Sequence, residues 1–176
     1  MAYDDEDRDG GSPGEVTGPS GEVAGLAATY LRAVVGVLWR GRWIAAARHP
    51  WADEGGYYVV TAWNPGDQRF DVRDNRRRND DLRRDLRALQ GDDGNVLPAL
   101  GADVHSPHAE ESWAVAGVGE HAVTRLAAGY GQVAVFRFHG SVQTVVACTS
   151  TWRVGRNAAG DDLRTAPAFR DAPLAD

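Results

Sequence analysis

Lysine is absent from this chain and cysteine nearly so, and both shortages exclude classes of site. All 19 basic residues are arginines, so every side-chain cation other than histidine is a planar fork suited to carboxylate or phosphate. The single cysteine, Cys148, excludes an internal disulfide framework and a cysteine-rich zinc site. Its apolar context, VVACTS, predicts a buried and unreactive thiol.

Membrane and export signals are also lacking. No apolar run approaches the length of a membrane span. The first residues, MAYDDEDRDGG, are acidic, which is the opposite of a signal peptide's start. We therefore expect a cytoplasmic protein with no membrane partner.

Known catalytic and metal-binding patterns are absent as well. The sequence contains no HEXXH, EF-hand or Walker motif, and Ser112 lacks a Gly-x-Ser-x-Gly context. His105, His108, Glu110 and Glu111 are close in sequence, but a loop containing Ser and Pro does not fix their geometry for a metal. We therefore expect no catalytic residues, no metal and no cofactor.

What is present suffices for one domain. The chain has 176 residues, of which 43% are hydrophobic, and six tryptophans can contribute to a sizeable core. We expect a disordered acidic tail over residues 1–20, one domain over residues 21–156, and an unstructured tail over residues 157–176. The net charge of −6 argues against non-specific nucleic-acid binding by the whole surface.

Hydrophobic patterning predicts the α+β class. A short helix near Leu26 to Tyr30 precedes a stretch that could be one helix to about Ala46 or two strands; its β-branched residues favour strands 32–39 and 42–46. Further strands are expected over residues 57–63, 95–100, 110–117, 132–138 and 141–148, and the two main helices over residues 75–89 and 120–128. The result is a single mixed or antiparallel sheet of about six to seven strands with two main helices packed on it.

Three details of this prediction bear on the site. The apolar run 57–63 suits a central strand covered on both faces, whereas Pro98 favours an edge position for its strand. Asp74 or Asn75 is expected to cap the first main helix, which Gly91 or Gly94 ends. Helical spacing back from Leu82 places Asn79 and Asn75 on the face that packs against the sheet.

Four segments carry a family resemblance. They are Thr61-Ala62-Trp63-Asn64-Pro65, the Asn-rich helix start from Asn75 to Leu82, Glu110-Glu111-Ser112-Trp113-Ala114-Val115, and Tyr130-Gly131-Gln132-Val133-Ala134-Val135-Phe136. In this order they resemble the bacterial domain-of-unknown-function 3293 (DUF3293) family, with Tyr130 where Phe is commoner. The resemblance covers about Leu26 to Ala147. Because the family brings no activity or ligand with it, it implies the fold and the domain limits only.

Polar residues at the ends of elements form the candidate site. Element ends on one rim of a sheet are where such folds usually build sites, and the expected ligand-binding set is Asn64, Asn75, Arg76, Asn79, Glu110, Ser112 and Gln132. The functional interpretation is a non-catalytic module that binds a small polar or phosphorylated ligand. The structural interpretation is that these side chains cap helices, fix turns and satisfy one another.

Two other interpretations remain open. The helix over residues 75–89 is rich in arginine and could dock on nucleic acid, but interleaved aspartates nearly neutralise it, so nucleic acid is possible and not favoured. Alternatively, exposed tryptophans and a free sheet edge could hold a protein partner whose identity the sequence leaves unknown. The tryptophan candidates are Trp39, Trp43, Trp51 and Trp152.

Overall fold

A computed structural model describes residues 21–66, 68–91, 96–172 and 174. Four helices are present there: α1 (Gly21–Leu31), α2 (Pro50–Asp53), α3 (Val72–Gln90) and α4 (Glu120–Gly129). The strands are β1 (Ala33–Trp39), β2 (Arg42–Ala45), β3 (Tyr57–Val60), β4 (Val96–Asp103), β5 (Ala109–Ala116), β6 (Ala134–His139), β7 (Val142–Ala147) and β8 (Arg153–Asn157). The acidic tail expected over residues 1–20 lies outside the described residues. None of the helices in the described ranges is long and apolar enough to cross a membrane.

All eight strands form one sheet in the order β2-β1-β4-β5-β3-β6-β7-β8, and every pairing between them is antiparallel. The predicted α+β class and single sheet are confirmed. The number of strands was underestimated, because β8 lies in polar sequence that pairs only at the sheet's margin. The short helix α2 was also missed, since its four residues begin with a proline and carry no periodic pattern.

The sheet buries both of its faces in the middle. On one face, which we call the helix face, Leu82 and Leu86 of α3 and Val123 of α4 pack on strand residues such as Val60 and Val115. On the opposite face, Tyr57, Val59 and Phe138 pack with Ala52 of α2 and with Val37 of β1. All four residues of β3 are therefore buried, as predicted for a central strand.

Helix α3 begins one turn earlier than expected. Asp71 caps it by accepting a hydrogen bond from the backbone N of Asp74 (2.8 Å), so neither Asp74 nor Asn75 is the cap. The helix ends at Gln90, before Gly91 with its φ of 82°; Gly94 lies outside the described residues. Asn75 is 1% exposed and Asn79 is 3% exposed, which confirms that both amides lie on the buried face.

The edge position expected for Pro98 is wrong for the strand as a whole. β4 lies between β1 and β5, deep in the sheet order. However, the pairing of β4 with β1 stops at Ala99 opposite Val37, so Pro98 is paired only with Trp113 of β5. The proline therefore lies beyond the end of the β1 ladder, where its missing N–H costs no hydrogen bond to β1.

The unstructured tail expected from residue 157 also requires correction. Two 3-10 turns, Leu163–Thr165 and Pro167–Phe169, follow β8, and Phe169 is fully buried. Leu163, Ala166 and Phe169 cover the β1–β4 end of the helix face beside Val34 and Ala102. These three well-spaced apolar residues within a polar, proline-containing segment give no periodic signal, which is why their docking was not predicted.

Candidate functional site

The chain leaves β3 through a loop that asparagines hold in place. Asn64 adopts a positive φ of 42°, which an asparagine tolerates better than most residues. Its backbone N donates to Asn75 Oδ1 (2.9 Å), and Asn75 Nδ2 donates back to Asn64 Oδ1 (2.9 Å) and to the carbonyl of Phe70 (3.2 Å). Asn64 Oδ1 also accepts from the backbone N of Phe70 (3.2 Å). These two amides thus close the loop onto the start of α3.

Asn79 and Gln132 brace the same loop from the other side. Asn79 Oδ1 accepts from the backbone N of Ala62 (3.3 Å), and Gln132 Nε2 donates to the carbonyl of Trp63 (2.9 Å). Arg78 adds a bond from its Nε to the carbonyl of Ala62 (3.1 Å). Asn75, Asn79 and Gln132 therefore satisfy backbone groups, as the structural interpretation expected.

Glu110 is placed differently. It alternates with Ser112 and Ala114 on β5, so its side chain lies on the face opposite the helix face, where α1 and α2 pack. Its carboxyl is 3.3 Å from His108 Nε2, and the Asn64 side chain is a second polar neighbour. Burial raises the pKa of Glu110, and this outweighs the lowering by His108 and Asn64. No arginine forms an ion pair with Glu110 in the described ranges.

Tyr30 of α1 also lies near Glu110. We call this group of side chains the Glu110 cluster; its members are Tyr30, Asn64, His108, Glu110 and Ser112. The Tyr30 ring packs edge-on against Phe136 with centroids 5.8 Å apart. Burial, and then the nearby Glu110 charge, raise the pKa of the Tyr30 hydroxyl to about 12, so it stays protonated. Ser112 is 6% exposed, and its Oγ donates to the carbonyl of Glu110 (3.1 Å). Sequence reasoning missed Tyr30, because only the fold brings α1 to β5.

Arg76 lies away from this cluster. Its Nε pairs at 3.0 Å with Glu111, whose side chain points to the helix face, opposite to that of Glu110. Of the seven residues expected to form one site, the structure therefore brings Asn64, Glu110 and Ser112 together. Asn75, Asn79 and Gln132 support their loop, and Arg76 is separate.

The described part of the chain contains no candidate metal site. No three His, Cys, Asp or Glu side chains there are grouped so that they could hold an ion. His108 is 58% exposed and contacts Glu110, and the backbone N of His105 bonds the Asp103 carboxylate (2.7 Å). Among the described residues, His105 and His108 therefore belong to no group of three side chains that could hold an ion.

Two surface grooves lie elsewhere on the molecule. One, of about 650 Å³, runs along the exposed side of α3 and is lined by Val72, Arg73, Arg76, Arg77, Asp80, Asp81 and Arg84. Most of its arginines are paired: Arg77 with Asp74, Arg84 with Asp81, and Arg76 with Glu111. The other, of about 420 Å³, lies beside the start of β3.

Comparison with known proteins gives one match. The model of a family described as "Protein of unknown function (DUF3293)" matches residues 60–135. No curated protein and no solved structure matches the chain. The matched range runs from the end of β3 into β6 and contains Asn64, Asn75, His108, Glu110 and Ser112. The match supports the family resemblance that the four motifs indicated: residues 60–135 of this chain match the DUF3293 model.

Proposed function

We propose that the chain is a non-catalytic binding module and that the Glu110 cluster is its ligand site. The proposal rests on the environment of the Glu110 carboxyl group. It is partly desolvated, no arginine among the described residues pairs with it, and 28% of the side-chain surface remains exposed. A carboxylate withdrawn from water gains most from a partner that donates hydrogen bonds.

The neighbouring glutamates give the contrast. Glu111 is paired with Arg76 at 3.0 Å and Glu120 with Arg153 at 2.8 Å, as is usual for this residue type. Glu110 contacts a histidine and an asparagine instead. The arginine-rich chain thus supplies a cation to both of these other glutamates and leaves this one open to a ligand.

The surroundings of the carboxyl favour one ligand class. Glu110 accepts, and the protonated Tyr30 hydroxyl can donate or accept, so a small molecule with an amine or amide group suits the cluster. Phe136 and Tyr30 provide an aromatic wall for its apolar part. A phosphorylated ligand is less well supported, because Arg76, the cation expected to bind it, is neutralised by Glu111.

The test compares two adjacent glutamates. Purified protein is titrated with isobutylamine, acetamide and inorganic phosphate, and binding is followed by chemical-shift changes in an NMR spectrum. We expect the amine to shift the amides of Asn64, Glu110 and Ser112, and Glu110→Gln to remove this effect. Glu111→Gln is the matched control, because it changes the same charge on the opposite face.

The amine should lose its effect as the pH falls through the raised pKa of Glu110, since protonation removes the acceptor charge. Amine binding that survives Glu110→Gln would refute the proposed site. Phosphate shifts centred on this cluster would show that the ligand class is wrong.

Nucleic-acid docking by α3 has one supporting observation, the groove lined by Arg73, Arg76, Arg77 and Arg84. Its aspartate and glutamate partners leave little free positive charge, so we keep this as the second candidate. Retention of nucleic acid at low salt, falling steeply as salt rises, would support it. The protein-partner and cytoplasmic expectations stay predictions.

A further inference from the structure

A second polar groove lies at the other end of β3. Its volume is about 420 Å³, and its lining includes Trp51, Glu54, Gly56, Tyr58, Gly117 and Arg137. It is separated from the Glu110 cluster by the length of β3, which is four residues or about 13 Å. The two sites can therefore be tested independently, and the inference below does not depend on the proposed function.

Arg137 is the cation of this groove. It lies on β6 opposite Tyr58 of β3 and is only partly exposed. Its interaction is with the Tyr58 side chain, and no carboxylate lies within ion-pair distance of it in the described ranges. A partly buried guanidinium without an anion offers a two-pronged donor to a carboxylate.

Two glutamates, Glu120 and Glu54, lie at or beside the groove, but neither forms an ion pair with Arg137. Glu120 reaches the Tyr58 hydroxyl (3.4 Å) but is held by Arg153 at 2.8 Å. Glu54 lines the groove, is exposed, and forms no ion pair with Arg137. Arg137 and Glu54 therefore line the same cavity more than 4 Å apart, and neither has an ion-pair partner among the described residues.

Backbone and apolar surface form the rest of the groove. Gly117 has a φ of 74°, a conformation that L side chains rarely adopt, and a Cβ there would meet open space. Trp51 and Val118 supply apolar surface beside the charged pair. A ligand can therefore lie close to the main chain and still bury a hydrocarbon group.

We propose that this groove binds a zwitterionic amino acid with an apolar side chain, whose carboxylate meets Arg137 and whose ammonium group meets Glu54. A doubly charged phosphate is disfavoured, because Glu54 lines the same groove and Glu120 reaches the hydroxyl of Tyr58, which also lines it. A free carboxylate without an amine meets Arg137 but leaves Glu54 unmatched. The groove therefore presents one positive and one negative side chain to a ligand that carries both charges.

Three matched probes test the proposal: L-leucine, isocaproate, which lacks the amine, and isoamylamine, which lacks the carboxylate. Inorganic phosphate is the fourth. Binding is followed by NMR through the amides of Gly55, Gly56 and Gly117, since glycine signals are well separated. We expect leucine to shift them at a concentration at least tenfold lower than isocaproate or isoamylamine, because each probe lacks one charged contact worth about a factor of ten.

Variants locate the contacts. Arg137→Gln should weaken leucine binding about tenfold or more, and Glu54→Gln should make leucine no better than isocaproate. Arg125→Gln is the control, because Arg125 is exposed on α4 and does not line the groove. A circular dichroism spectrum confirms folding, and Arg137→Met repeats the test if Arg137→Gln is misfolded.

Leucine that leaves the three glycine amides unshifted would overturn the proposal. Phosphate binding more tightly than leucine would overturn the charge assignment. Equal binding of leucine by the wild type and Arg137→Gln would place the ligand elsewhere.

Discussion

Asn64 and Asn75 hold each other through two hydrogen bonds of 2.9 Å that run in opposite directions between a loop and a helix. One uses the Asn64 backbone and the other its side chain, so the pair fixes both the path of the loop and the orientation of the Asn64 amide. That orientation leaves the Asn64 side chain beside Glu110. The pair therefore links α3, on the helix face, to the cluster on the opposite face.

Asn75→Ala should destabilise the fold by about 2–3 kcal/mol. The change leaves the backbone N of Asn64 without its acceptor and the carbonyl of Phe70 without a donor, in a largely buried place. Urea denaturation measures the loss. Arg77→Ala in the same helix is the control and should cost less than about 1 kcal/mol, because its pair with Asp74 is exposed. Equal losses would contradict the assigned role of Asn75.

Asn79→Leu should also lower stability, by about 1–3 kcal/mol, although leucine suits the position's burial. The backbone N of Ala62, which is fully buried, would lose the Asn79 acceptor (3.3 Å) and have no water to replace it. Thermal unfolding of the variant measures the effect. Unchanged stability would show that this bond is dispensable and that Asn79 only fills space.

His49 should make the fold less stable in mild acid. It is fully buried among Trp39, Trp51 and Tyr57, and burial lowers its pKa from 6.5 to about 4. As the pH falls, His49 takes up a proton in the unfolded chain before it does so in the folded protein. The contribution of neutral, buried His49 to the free energy of unfolding is therefore complete above pH 6.5 and is lost as the pH falls toward 4. The loss should reach up to about 3 kcal/mol, measured by urea denaturation across this range.

His49→Phe provides the control for that pH dependence. The ring still fills the aromatic surroundings, while the backbone N of Trp51 loses its acceptor, His49 Nδ1 (3.3 Å). The variant should be less stable at pH 7 and should approach the wild type as the pH falls. An unchanged difference between the two proteins from pH 7 to pH 4 would show that His49 does not titrate in this window.

Gly36→Ala and Phe169→Ala should be non-additive. A Cβ at Gly36 would lie 2.7 Å from Phe169 Cζ, so alanine must displace the ring and should cost about 1–3 kcal/mol. Phe169→Ala alone leaves a cavity and costs about 3–5 kcal/mol. In the double variant the new methyl group enters that cavity, so the loss should be smaller than the sum of the two. Additive losses would show that the two positions do not touch.

The pattern of the sequence predicted the central sheet well, because its signals are local. The continuous apolar run at Tyr57 to Val60 and the leucine spacing at Leu82 and Leu86 needed no knowledge of distant contacts. The inward direction of Asn75 and Asn79 followed from the same helical period. The helical period could not predict the hydrogen-bond partners of these two amides, which include backbone groups of residues 62, 64 and 70.

The features that were missed depend on contacts between distant segments. Tyr30 meets the surroundings of Glu110, which is eighty residues later, only because α1 packs beside Phe136 of β6. Phe169 docks over Gly36, whose missing side chain makes the space. Pro98 led us to predict an edge position for the whole of its strand. In the structure only the pairing with β1 ends, at Ala99, the residue next to Pro98. None of these contacts can be predicted from the pattern of residues in a short stretch of sequence.

The bond from Arg156 Nη2 to the carbonyl of Ala33 (3.2 Å) joins the last strand of the sheet to the beginning of β1, while both Arg156 η nitrogens hold Asp161. These partners are 123 residues apart in the chain. During synthesis, β1 leaves the ribosome long before Arg156 and Phe169 exist, so its outer end must wait uncovered. The end of β1 can therefore be covered only after Phe169 has been synthesised, and translation that stops short of Phe169 should yield a protein prone to aggregation.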